Sequence, residues 1–116
     1  MNYRPETIFK AFADSNRLRI LHLLKKRRVC VCDLVDSLRI PQARVSRHLA
    51  TLKKSGLVEY HKEGLWIYYS LAKPRNRLTQ LLISCAAECF GDFPQFKKDT
   101  YTFNKLSTQK NLARCR

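Results

Sequence analysis

Residues 33–56 read DLVDSLRIPQARVSRHLATLKKSG, and this stretch decides the fold. Leu34, Val35 and Leu38 stand at i, i+1 and i+4, which predicts a short helix from about Val31 to Leu38. The break Arg39-Ile40-Pro41 is only three residues long. Pro41 suits the first position of the next helix, where its missing N–H costs nothing and its φ is preset. That helix, over about 41–54, sets Val45, Leu49 and Leu52 at i, i+4 and i+7. Ser55-Gly56 ends it with a glycine where a left-handed cap is wanted. Two helices joined across so short a break form a helix-turn-helix.

The flanks agree. Upstream, Ile8, Phe9 and Phe12 predict a short amphipathic helix over 5–13. Asp14 and Ser15 offer a new N-cap, and Leu18, Ile20, Leu21 and Leu24 follow at helical spacing up to the basic run Lys25-Lys26-Arg27-Arg28. Downstream, Leu57 to His61 and Trp66 to Leu71 read as strands joined by Lys62-Glu63-Gly64-Leu65, a β-hairpin that Lys73-Pro74 stops. A last helix is expected over about 75–90, with Leu78, Leu81, Leu82, Cys85 and Cys89 along one face. The order predicts a mainly α chain with a β-hairpin wing: a winged helix-turn-helix.

The chain has 116 residues, the size of one domain, and 32 of them are Leu, Ile, Val or Phe, enough for a small core. We expect residues 1–92 to form the DNA-binding and dimerisation domain and residues 93–116 a basic C-terminal tail, with no structure assigned to 97–116. Twenty-three Lys and Arg against nine acids give a formal net charge of +14. That excess points to a polyanion, and double-stranded DNA is the partner expected. It is spread over the chain, with 13 basic and 4 acidic residues in 1–56 and 10 and 5 in 57–116, so it is not a basic tail on a neutral domain. No apolar run is long enough to span a bilayer and no signal region opens the chain, so a cytoplasmic protein without a membrane partner is expected. No phosphate-cradling loop, Ser/His/Asp order or paired carboxylates appear; neither an enzyme nor a catalytic cofactor is expected.

At 100° per residue, Ala43, Arg47, Ala50 and Lys54 lie opposite the apolar stripe of the fourth helix. Ser46 and Lys53 flank them on one side, Arg44 and His48 on the other, with Gln42 near the N-terminus. Small residues let a helix sink into the major groove, Arg47 suits guanine, Gln42 suits adenine, and Lys53 and Lys54 suit phosphates. His61 and Lys62, at the expected hairpin tip, would lie over the neighbouring backbone or minor groove. The bland alternative is the solvated face of a basic helix. One reading helix rarely suffices, so a homodimer through the terminal helices is expected, built on Leu78, Leu81, Leu82 and Cys85 with Phe9 and Phe12 beside them.

Five cysteines is an odd count, better read in a reducing compartment as thiols or ligands than as a disulfide frame. Cys30 and Cys32 open the third helix after four basic residues, where the helix dipole favours the thiolates that soft ions bind. Within a helix, residues i and i+2 point about 200° apart. A bridging ion would therefore pull the helix start out of helical geometry and distort the support of the reading helix. The bland alternative is a pair of half-buried small apolar residues. Cys115, Cys89 and Cys85 are candidates for a further ligand, although the last two also suit packing.

These residues resemble the ArsR/SmtB family of metalloregulatory repressors, and within it the arsenic-responsive ArsR branch. The resemblance covers about 5–72. It rests on FADSNRLRIL (12–21), VCVCDL (29–34), VSRHL (45–49), LKKSGLV (52–58) and EGLWIYY (63–69). It implies a homodimeric repressor on the operator of a resistance operon, released when trivalent arsenic or antimony (arsenite, antimonite or a methylated arsenical) binds cysteines. In relatives the two motif cysteines are joined by a third, three residues on; here that position is Val35. Either another cysteine completes the site, Cys115 before Cys89 or Cys85, or two thiolates hold a methylated arsenical. Competing readings are a thiol redox or persulfide sensor on the same scaffold, and an architectural DNA-binding protein with structural cysteines.

Overall fold

The computed structural model describes residues 4–25 and 27–110. Six helices and three strands follow in order: α1 (Pro5–Phe12), α2 (Ser15–Leu23), β1 (Val29–Cys30), α3 (Val31–Leu38), α4 (Gln42–Lys54), β2 (Val58–Glu63), β3 (Trp66–Leu71), α5 (Arg77–Glu88) and α6 (Pro94–Lys110). Local chemistry sets most of these boundaries. Asp14 caps α2 by accepting from the Arg17 amide at 3.1 Å, and Asn76 caps α5 by accepting from the Thr79 amide at 2.8 Å. α3 ends on Arg39 in the left-handed region at φ 58°, a cap that usually falls to glycine. Gly56 and Gly64 take φ of 78° and 60° after α4 and in the hairpin turn.

The buried stripes meet in one core. Ile20, Leu21 and Leu24 from the α2 region, Leu34 from α3, and Val45, Leu49 and Leu52 from α4 are all at most 1% exposed. This core fixes α3 and α4 against α2 and leaves the far side of α4 in water. The sheet is antiparallel in the order β1-β3-β2. β2 and β3 form the wing, with Tyr60 opposite Tyr69 and His61 opposite Tyr68. The short β1 adds a third strand, pairing Val29 with Tyr69 and Cys30 with Tyr68. The molecule is thus the winged helix-turn-helix expected.

Several sequence expectations are corrected. Pro41 is the N-cap of α4 with extended ψ of 144°, not its first helical residue. α2 ends at Leu23, before the basic run, and β2 continues to Glu63, so the hairpin turns at Gly64-Leu65. α5 buries Thr79, Ile83, Ala86 and Ala87, leaving Leu81 at 52% exposure and Cys89 exposed, with Leu78, Leu82 and Cys85 half-buried. Leu78 and Leu82 pack against the edge of the core, while Leu81 faces outward, on the face expected to meet a second copy.

Residues 94–110, mostly left without structure by their weak apolar periodicity, form α6, which packs on α2 and α3. Phe103 joins the core from α6, and polar groups add to that contact. Asp99, 2% exposed, accepts from Arg19 at 2.8 and 2.9 Å, and Phe96 packs edge-on against His22 at 5.5 Å. Among the described residues no helix is long and apolar enough to cross a membrane.

Candidate DNA-binding face and thiol site

The core stripe of α4 dictates what its outer face presents. Gln42, Ala43, Arg44, Ser46, Arg47 and Ala50 are exposed, as are Lys53 and Lys54 one turn further on. The two alanines leave the backbone accessible between cationic side chains, the relief a major groove accepts. Lys53 is also tied to the wing, its Nζ 4.3 Å from the ring centre of Tyr60.

His48 departs from the expected reading face. It is half-buried, with Nδ1 3.2 Å from the Arg17 guanidinium and Nε2 4.0 Å from the Asp14 carboxylate. Burial, aided by the charges of Arg17, Arg47 and Arg44, holds its imidazole below the ordinary histidine range, against the opposing pull of Asp14. Its geometry braces α4 on α2. His61 and Lys62 are exposed as expected but lie within β2 opposite Tyr68 and Ile67, not at the turn. His61 also sits 3.5 Å from Glu63, which pairs with Arg28 at 3.3 Å.

Sequence reasoning missed Lys73 and Arg75. They line a groove of about 950 Å³ with Lys53, Lys54 and Tyr60, extending the basic surface from the end of α4 past the base of the wing. In the sequence Lys73-Pro74 reads only as a strand stop and position 75 as the start of a helix; the charge of Lys73 and Arg75 was the available signal.

Cys30 is the N-cap of α3, with φ −67° and ψ 144°, and Cys32 is the second helical residue. Because Cys30 is extended and lies before the first helical residue, its side chain does not point about 200° away from that of Cys32, as it would within a helix. The two Sγ atoms are already 3.1 Å apart, and the helix need not unwind to bring them together. The pair fits a soft ion held by two sulfurs. Among the described residues no group of three His, Cys, Asp or Glu side chains is placed to hold a metal ion. Within one chain Cys85 and Cys89 are not brought beside that pair; they stand at i and i+4 at the end of α5, with the Cys85 thiol pushed up by burial and by Cys89. Cys115 lies outside the described residues. Cys32 takes part in a disulfide, so the two sulfurs are open to an ion only in the reduced protein.

A helix-turn-helix with an exposed basic reading helix, a wing and a thiol pair between them defines a DNA-binding transcriptional regulator. The comparisons with known proteins agree. The model of the bacterial regulatory protein, arsR family, matches residues 14–60. An uncharacterized HTH-type transcriptional regulator of Methanocaldococcus jannaschii is 48% identical over 69 residues, covering 59% of this chain and 78% of the relative. The arsenical resistance operon repressor of Escherichia coli is 45% identical over 69 residues, 59% of each chain. The cadmium resistance transcriptional regulatory protein CadC of Listeria innocua is 44% identical over 62 residues, 53% of this chain and 52% of the relative. Among solved structures, HlyU from Vibrio cholerae superposes with a TM-score of 0.61 at 32% identity, covering 68% of this chain and 83% of that one. The chain belongs to the ArsR family of transcriptional regulators. The match spans little more than half the length of the arsenic and cadmium regulators.

Proposed function

We propose that the chain represses an arsenic or antimony resistance operon as a homodimer on double-stranded operator DNA, and leaves it when trivalent arsenic or antimony binds Cys30 and Cys32. The carrying observation is the 3.1 Å approach of the two sulfurs at a junction shared by α3 and the wing sheet.

The chain supplies the coupling. Cys30 is hydrogen-bonded into the sheet opposite Tyr68 of β3, and Cys32 stands in the first turn of α3, which packs against α4. Bonds from both sulfurs to one ion tie β1 rigidly to the start of α3. The strand carries that constraint to the wing and the helix carries it to the reading helix. Arg47 and Gln42 then no longer meet the groove together with the wing.

Cys30→Ser and Cys32→Ser should each keep operator binding within a few-fold while abolishing release by arsenite. Loss of DNA binding in both would make the pair structural. A second reading, a thiol redox or persulfide sensor on the same scaffold, is supported by the disulfide on Cys32 with the Cys30 sulfur 3.1 Å away. It predicts release by an oxidant without added metal, reversed by a reductant.

A further inference from the structure

The wing ends in an apolar tip. β2 and β3 turn at Gly64-Leu65, with Gly64 at φ 60°. A Cβ placed on Gly64 would meet no atom within 4 Å, so the turn stands clear of its surroundings. Leu65 is 90% exposed, more than any other large apolar side chain among the described residues, and Ile67 is exposed as well. Alternation along the strands sets where this surface faces. Ile67 shares one side of the wing with Lys62, its partner in register, and with the Tyr60–Tyr69 pair. That side looks toward α4, because Lys53 lies 4.3 Å from the Tyr60 ring centre. Leu65 and Ile67 also line one recess with Gln42 and Ser46 of the reading helix. A duplex whose major groove holds α4 therefore meets the wing on its apolar side.

Charge lets the tip approach such a duplex. Glu63, next to the turn, is paired with Arg28 at 3.3 Å, and His61 stands 3.5 Å from it. Lys62 is exposed beside them. Lys53, Lys54, Lys73 and Arg75 continue the cationic surface at the base of the wing. What covers an apolar tip set in a cationic surface must itself be apolar within and anionic outside. A DNA groove has that character, with sugar edges and base faces lying between two rows of phosphates.

We infer that Leu65, backed by Ile67, is a minor-groove wedge that opens one base step beside the site of the reading helix and kinks the operator. The inference deepens the operator binding proposed above and rests on it, but not on the thiol pair. Apolar wedges of this kind partly unstack a step and bend the duplex by roughly 20–90°. Pyrimidine–purine steps yield most readily, so the wing selects operators with such a step at the flank without hydrogen-bonding a base.

The test uses reduced full-length protein and an upstream-promoter duplex with a donor and an acceptor dye at its two ends. Energy transfer reads bending and anisotropy reads affinity. Saturation with the wild type should raise the transfer above that of the free duplex. Leu65→Ala should weaken binding roughly ten-fold and remove most of that rise at saturation. Its urea midpoint should stay unchanged, because so exposed a side chain adds little to the core. Leu65→Phe, which keeps an apolar wedge, should keep the bend. Leu65→Lys should hold affinity through phosphate contacts, steepen the salt dependence by about one counterion, and lose the bend. No rise in transfer when the wild type binds, or a rise that Leu65→Ala keeps, overturns the wedge and leaves operator binding standing. Dissociation of a dimer by Leu65→Ala in sedimentation also overturns it, giving the tip to a second copy. Failure of the wild type to bind the duplex overturns operator binding itself.

Discussion

Arg47 is exposed on the helix face where a guanidinium can reach a base edge, whereas His48, its neighbour, turns inward to Arg17 and Asp14. The two side chains therefore make different predictions. Arg47→Ala should weaken operator binding by about 1–3 kcal/mol and random DNA much less. Equal losses on both DNAs, measured by anisotropy, would place it on phosphate. His22 and His48 make the fold sensitive to acid. Burial is the main cause that holds each imidazole below the ordinary range; Lys25 and Arg27 add to it at His22, opposed by the Ala86 backbone and Asp99. The unfolded chain takes up protons near the ordinary histidine value of 6.5, and the fold resists them. Stability is thus full above that value and falls as pH drops through the depressed folded values. The urea midpoint should be lower at pH 5.5 than at pH 7.5, and His22→Leu should reduce the difference.

At the scale of elements, α6 is held by a polar clasp as well as by Phe103 in the core. Arg19 donates to both oxygens of Asp99 and also to the Leu38 carbonyl at 3.1 Å, so it ties α2, α3 and α6 together. Asp99→Ala leaves that guanidinium largely buried without its counter-charge and should cost about 3 kcal/mol in urea unfolding. A cost below about 0.5 kcal/mol, the value of an exposed pair, would show that α6 contributes little to the fold. This clasp also explains what the sequence withheld. The α3–α4 unit was legible because Leu34, Leu38, Val45, Leu49 and Leu52 repeat at helical spacing over a break too short for other arrangements. α6 was not, because its key contact joins Arg19 to Asp99 across eighty residues and no local pattern announces it. The cysteine pair was found, but its geometry was misjudged, since a helical wheel cannot show that Cys30 is a cap residue. The inward turn of His48 was likewise set by Asp14 and Arg17, far from it in sequence.

For the whole molecule, the unburied side of α5 and the exposed side of α1 are the surfaces that a second copy would cover. Leu81 and Phe9 are 52% and 51% exposed, an apolar cost that a dimer removes. Leu81→Glu should shift the protein to monomer in sedimentation and weaken the operator complex, while leaving the urea midpoint within about 0.5 kcal/mol of the wild type. An unchanged dimer would move the interface elsewhere. The formal charge of +14 suggests phosphate neutralisation, so operator affinity should fall steeply and linearly on a log–log plot against salt. The central claim is that a thiol pair between wing and reading helix converts arsenic binding into release of DNA. Anisotropy of an upstream-promoter duplex bound to the reduced protein tests it directly, titrated in turn with arsenite, antimonite, zinc and diamide. The account predicts release by arsenite and antimonite and none by zinc; release by diamide alone, or binding that ignores all four, would contradict it.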